Sequence, residues 1–272
     1  PELEFFYLDK CTMQPIDLRS DPPANLLDDA IAVEHAAVLS GVGRVTVERS
    51  VNNHDRNIGT RLAGIIVRKF GDAGLPDHTA VTLKLMGSAG QSLGAFLVPG
   101  IRILLDGEAN DGVGKSLCGG DIIIRPPRNS GYNDWWNHPI IGNTALYGAT
   151  AGRLFAAGRS GERFAVRNSG ATAVVEGVGD HACTFMTRGV VVSIGDALGW
   201  NFGSGMTGGW ACLYDPSNRA PRQIHSDVVL TRLTEIEEIA TVWGLIEDHL
   251  RFTGSPRARA ILEAWEDSLR HF

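Results

Sequence analysis

The stretch between Gly87 and Gly209 holds 25 of the chain's 33 glycines, and this density limits the fold more than any other feature. Short apolar runs alternate there with glycine-rich corners: Ile101–Leu105, Asp121–Ile124, Ile140–Ile141, Arg163–Val166, Ala173–Glu176, Val190–Ile194 and Trp210–Tyr214. Several successive runs begin about 20 residues apart, the signature of a stacked array with one β-run per repeat. Glycines this frequent leave no room for the crossover helix of about ten residues that a Rossmann sheet requires. A sandwich would need tight hairpin turns. Asp106-Gly107 and Asp111-Gly112 qualify, whereas Gly152, Gly158, Gly161, Gly170, Gly177 and Gly179 lack the required pairing. The pattern predicts a mainly β chain wound as a right-handed parallel β-helix, its corners using glycine's freedom at positive φ and its lack of bulk.

The flanks read differently. Residues 1–24, with Pro15, Pro22 and Pro23, form an extended lead-in. Residues 25–86 read as an α/β N-terminal cap. It comprises a helix opened by Asn25 and ended near Ser40, an alternating strand Val45–Val51, a helix from Asn57 to Gly71 and a strand Thr79–Met86. The β-helix then spans 87–214. Residues 215–272 read as a helical cap, after a possible last strand at Val228–Leu233. One helix covers Glu235–Phe252; a second is capped by Ser255 and begun by Pro256. Together these segments make one structural domain.

Composition narrows the function. A net charge of −6 without a Lys/Arg run argues against nucleic acid as a partner. No apolar run approaches the roughly 18 residues of a membrane span, and no basic-then-apolar leader opens the sequence. Cys11, Cys118, Cys183 and Cys212 are widely spaced, as expected for reduced thiols in a cytoplasmic protein.

Three motifs invite chemistry. Ala109-Asn-Asp-Gly-Val-Gly114-Lys115-Ser116 approximates a phosphate loop, but a strand follows where the loop needs a helix start. Asp180, His181 and Cys183 could form a nucleophilic or metal cluster, since residues 181 and 183 of a strand share a face. The simpler expectation is a hydrogen-bonded corner histidine, and His138 lies on another run. Asn143, Asn168 and Asn201, with Arg163 and Arg167 nearby, are expected to satisfy backbone groups in stacked corners.

Longer motifs carry a family resemblance. Gly87-Ser-Ala-Gly-Gln-Ser-Leu-Gly-Ala-Phe96, Gly142-Asn-Thr-Ala-Leu-Tyr-Gly-Ala-Thr150, Gly161-Glu-Arg-Phe-Ala-Val-Arg-Asn-Ser-Gly-Ala171, Glu176-Gly-Val-Gly-Asp-His181 and Asn201-Phe-Gly-Ser-Gly-Met-Thr-Gly-Gly209 resemble the C-terminal domain of the glutamate synthase large subunit. Asn57-Ile-Gly-Thr-Arg61 and Thr253-Gly-Ser-Pro256 fit as well, so the likeness covers about residues 25–272. Departures fall at Gly112, Ser116, Cys118, Thr184 and Trp200 and in Ser130–His138.

The resemblance implies a non-catalytic β-helix scaffold between a glutamine amidotransferase unit and an FMN-binding synthase unit. Ammonia from glutamine would pass to 2-oxoglutarate to make glutamate. FMN and an iron–sulfur cluster are expected in the partner units and none on this chain. Residue 1 is Pro where the family's nucleophile is Cys, so no catalytic, cofactor-binding or metal-ligating residue is assigned. Alternatives are a subunit of an N-methylglutamate synthase-like complex, a relative of the formylmethanofuran dehydrogenase coil, an independent enzyme using Asp180, His181 and Cys183, and a carbohydrate-binding β-helix. The weakly charged stretches Ile140–Ala157 and Ala171–Glu176 are the expected outward contact faces.

Overall fold

The computed structural model describes residues 26–127, 130–131 and 133–272. The lead-in, Asn25 and Cys11 lie outside them. Ten strands form one open parallel sheet: β1 Arg44–Val51, β2 Ala80–Ala89, β3 Ile101–Ala109, β4 Cys118–Arg125, β5 Pro139–Ile141, β6 Ala151–Ala156, β7 Arg159–Ser160, β8 Ser169–Val175, β9 Arg188–Ser193 and β10 Trp210–Leu213. The main path runs β1-β2-β3-β4-β6-β8-β9-β10, with β5 pairing β3 and β7 at one side. Along the main path neighbours are consecutive in sequence except that the short side strands β5 and β7 are passed over, so short connections return each strand beside the last.

Register stacks like on like. One inward column runs Val47, Leu83, Ile103, Ile122, Leu154, Ala173 and Val191, all buried. The opposite face carries Leu104, Ile123, Phe155, Val174, Val192 and Cys212 in register. Period-2 alternation thus feeds two cores, one on each face of the sheet.

The first core lies between the sheet and a set of connecting arcs. Each arc places alternate residues in the left-handed region: Ser92, Gly94, Phe96; Gly112, Gly114, Ser116; Thr144, Leu146, Gly148; Arg163, Ala165, Arg167; His181, Cys183, Phe185; Asn201, Gly203, Gly205. All have φ between 53° and 75°. Most are not glycine, and such a residue costs about 1–2 kcal/mol in this conformation. Hydrogen bonds between arcs offset that cost. The first residue of an arc donates its N–H to the next arc (Ser92 to Asp111, Thr144 to Glu162, His181 to Trp200). The third donates to the previous one (Gly114 to Leu93, Ala165 to Ala145, Cys183 to Phe164). The fifth donates forward again (Phe96 to Lys115, Arg167 to Thr184), and these N···O distances span 2.7–3.0 Å. Each buried N–H so paired avoids a penalty of about 1–3 kcal/mol.

The second core is covered by the chain's own C-terminal helices. There are seven α-helices among the described residues: α1 Leu26–Glu34, α2 Ala36–Leu39, α3 Thr60–Phe70, α4 Ala220–Gln223, α5 Ile236–Thr253, α6 Pro256–Glu263 and α7 Trp265–Ser268. Val242 and Ile246 of α5 and Ala258 and Ile261 of α6 pack on Ile123, Phe155, Val174 and Val192. Ser255 caps α6 by accepting from the Ala258 N–H at 3.0 Å, as its position before Pro256 predicts.

Several expectations are corrected. Strand and helix content are roughly equal, so the chain is not mainly β; the flanking helices balance the short strands. Arg163–Val166 is an arc rather than a strand, because its backbone bonds alternate between neighbouring arcs. Val228–Leu233 forms no strand, since Leu233 N–H turns to the Phe272 carbonyl instead of to β10. The expected first helix breaks at His35 into α1 and α2.

Candidate functional site

The residues first considered for catalysis are dispersed by the arc geometry. Asp180 precedes its arc and accepts the Trp200 N–H on Oδ1 at 2.8 Å. His181 is partly exposed, whereas Cys183 points into the first core, fully buried. Burial pushes its thiol up to about 12, which keeps it protonated at neutral pH and removes it as a nucleophile. The arc brings these three residues into one backbone segment without joining the His181 ring to the Cys183 sulfur.

The phosphate-loop lookalike is likewise part of an arc. The N–H groups of Gly112, Gly114, Lys115 and Ser116 donate to Asn143, Leu93, Gly112 and Tyr147 carbonyls, which leaves none of the four for a phosphate. The polar ladder is present but differently composed. Asp111 Oδ1 accepts from Asn143 N–H at 2.7 Å, and Asn143 Oδ1 accepts from Glu162 N–H at 2.8 Å. Asn168 is buried and closes a local loop with Gly170 and Ala171, while Asn201 opens an arc. Arg163 and Arg167 occupy exposed arc positions.

Two polar clusters emerge only in three dimensions. Glu176, His249 and Ser255 are fully buried where α5 and α6 meet the end of β8. Glu176 Oε1 lies 3.1 Å from His249 Nε2 and accepts a short hydrogen bond from the Ser255 hydroxyl. Glu176 Oε2 and His249 Nδ1 find no partner among the described residues. The sequence signal was a lone Glu ending the apolar run Ala173–Glu176, 73 residues from its histidine.

The second cluster pins α5 to the sheet. Asp121 accepts from Arg102 on Oδ2 and from Arg153 on Oδ1, and Arg153 reaches Asp248 of α5 at 3.3 Å. The Arg102, Arg153 and Arg251 guanidiniums lie over the Phe252 ring. Burial alone would raise the Asp121 carboxyl, but the Arg153 and Arg102 hydrogen bonds prevail and hold it below its ordinary range.

Most of the apolar side chains in the expected contact stretches are buried, with Tyr147 in Ile140–Ala157 the exposed large one. Ala171 and Ala173–Glu176 are buried, and Ile140, Ile141 and Leu154–Ala157 are too: Phe155 and Val174 lie beneath α5 and α6, and Ala171, Ala173, Val175, Ile140, Ile141, Leu154 and Ala156 lie in the first core. The other exposed aromatics, Phe96, Phe185 and Trp200, lie outside those stretches and stand with Tyr147 on or beside the arcs. These residues form the candidate interaction surface. Among the described residues no group of three His, Cys, Asp or Glu is placed to hold a metal ion, and no helix is long and apolar enough to cross a membrane.

Comparison with known proteins gives this geometry a family. The family model described as "GXGXG motif" matches residues 28–272. This chain carries glycines in alternation in arcs such as Asn201-Phe-Gly203-Ser-Gly205, where every second residue takes positive φ. The chain is 47% identical over 252 residues to the ferredoxin-dependent glutamate synthase of Pyropia yezoensis, covering 90% of this chain and 16% of that protein. It is 45% identical over 247 residues to the glutamate synthase [NADH] of Schizosaccharomyces pombe, covering 90% of this chain and 12% of that one. The glutamate synthase [NADPH] large chain of Bacillus subtilis is 43% identical over 245 residues, with 89% and 16% covered. The chain therefore spans only a small part of the length of these relatives. On the match across nearly its whole length, the chain belongs to the GXGXG motif family and is a glutamate synthase-related domain.

Proposed function

We propose that this chain is a right-handed parallel β-helix acting as a non-catalytic scaffold of a glutamate synthase-type enzyme that converts glutamine and 2-oxoglutarate to glutamate. It holds a glutamine amidotransferase unit and an FMN-binding synthase unit in register, in the cytoplasm. The observation that carries the reading is the arc ladder. Arc N–H groups are spent on neighbouring repeats, and outward side chains such as Phe96, Tyr147, Phe185 and Trp200 are left to meet a partner.

FMN and an iron–sulfur cluster belong to the partner units in this reading. Two features of the described residues support that placement. Cys118 is exposed, while Cys183 and Cys212 lie in different cores with thiols pushed up to about 12, so among the described residues no set of thiolates converges on a cluster. The phosphate-loop lookalike likewise has its N–H groups engaged. The independent-enzyme reading loses its nucleophile to the burial of Cys183.

The test is to purify the chain with whatever polypeptide or subunits accompany it natively, then measure assembly mass and the cofactor content of the separated chain. The expected result is a larger assembly with flavin and iron on the other units. Stoichiometric flavin or cluster absorbance remaining on this chain through gel filtration would overturn the assignment.

A further inference from the structure

Among the described residues, the last strand of the sheet carries an edge with no strand paired to it. Tyr214 donates to the Ser193 carbonyl at 2.8 Å, which fixes the alternation along β10: Trp210, Cys212 and Tyr214 turn their main-chain groups toward β9. Ala211 and Leu213 turn theirs away, and no main-chain partner meets them among the described residues.

The chain begins another repeat beyond this edge and does not finish it. Ile224 forms a parallel bridge with Phe202, and Asp227 Oδ2 accepts the Gly205 N–H at 3.0 Å, so residues 220–227 stack on the preceding arc. Residues 228–233 should then pair with β10. Instead they stand off, tied to the C-terminus by Leu233 N–H to Phe272 and by Arg232 to the Arg270 carbonyl at 2.8 Å. A cleft of about 390 Å³ separates the two walls, lined by apolar groups of Phe202, Met206, Trp210 and Phe272 with Asp215, Arg232 and Glu238 also on its wall. Val229 and Leu230 on the outer wall are exposed.

We infer that this cleft receives an extended apolar peptide strand, which adds to the sheet at Ala211 and Leu213. Unpaired N–H and C=O groups at alternate positions of an edge specify a peptide backbone as the occupant rather than a globular face. The apolar lining selects its side chains. The relatives extend far beyond the region matched by this chain, so such a strand has a source in the remainder of a glutamate synthase polypeptide. That source rests on the function proposed above; the edge pairing does not.

The experiment is amide exchange by NMR on the full 272-residue chain, with the peptide acetyl-Thr-Val-Thr-Val-Thr-amide as probe. Without peptide, the Ala211 amide should exchange rapidly while Cys212 stays protected. Saturating peptide should slow Ala211 exchange at least tenfold and perturb residues 228–233. A peptide N-methylated at alternate residues should bind at least tenfold more weakly. Ala211→Pro removes only an outward N–H, which an edge strand tolerates, and should abolish binding. If that variant fails to fold, the N-methylated peptide decides. Equal binding of the N-methylated peptide would overturn the proposal, and so would an Ala211 amide already protected by residues 228–233 or by a second copy. In an assembled glutamate synthase-type enzyme the Ala211 amide should be slow without added peptide; rapid exchange there would overturn the proposed source alone.

Discussion

Single residues bear two distinct kinds of constraint here, and the two predict different mutational outcomes. Gly142, Gly161, Gly179 and Gly199 stack one over another, two residues before successive arcs. A Cβ at Gly179 would lie 2.9 Å from Gly161 backbone, and one at Gly199 only 2.2 Å from Asp180 N. Gly179→Val should therefore cost several kcal/mol, on the order of 3 or more, or block folding, and urea denaturation measures it. At Gly170 the obstacle is the Thr150 carbonyl at 2.1 Å, a matter of crowding rather than of positive φ. The arc positions behave otherwise. Arg167 is exposed at φ 56°, so Arg167→Gly relieves local strain while freeing the unfolded chain. Those opposing effects should leave stability within about 1 kcal/mol, whereas Arg167→Val should lose at least about 1 kcal/mol. The latter two variants unfolding alike in urea would show that left-handed strain does not govern the arcs.

At the scale of elements, the helices α5 and α6 are keyed to the sheet by buried polarity as well as by apolar contact. His249→Ala leaves Glu176 buried with Ser255 as its remaining close partner, and should cost about 3–5 kcal/mol. Glu176→Gln keeps hydrogen-bonding capacity and should cost less; equal losses would mean that packing, not polarity, fixes the helices. The Asp121 network adds a pH signature. Its carboxyl is lowered in the folded state, so its stabilisation is present above the unfolded pKa of about 4 and is lost as pH falls through the folded value. Thermal melts from about pH 5 downward should therefore show a steeper loss for the native chain than for Asp121→Asn.

These elements also show what was legible beforehand. The glycine spacing exposed the repeat, and amphipathic periodicity exposed α3 and α5. Ser255-Pro256 exposed the start of α6. Arg163–Val166 was misread because the arc there has no internal glycine, and its left-handed residues are stabilised by bonds to Ala145, Asp180 and Thr184 that a linear pattern cannot contain. Val228–Leu233 has a strand's composition but is diverted by contacts with Arg270 and Phe272, nearly 40 residues away in sequence. The apolar stretch Ala171–Glu176 reads as a surface because nothing in it declares that the arcs cover Ala171, Ala173 and Val175 on one face while α5 and α6 cover Val174 on the other.

The whole molecule is a sheet whose two faces are both used internally. One is closed by the arcs and the other by the C-terminal helices, which leaves the arc rim as the broad outward surface. On the proposed reading this body sets the distance between two reaction centres. Its aromatics at Phe96, Phe185 and Trp200 can be charged without entering either core. The most direct measurement is the ratio of ammonia released to glutamate formed by the assembled enzyme carrying Phe96→Asp, Phe185→Asp or Trp200→Asp, with circular dichroism to establish folding. A scaffold predicts folded variants in which glutamine hydrolysis persists and ammonia escapes severalfold more per glutamate, while His181→Ala couples normally. Folded variants that all retain native coupling would contradict it, as would loss of turnover from His181→Ala alone.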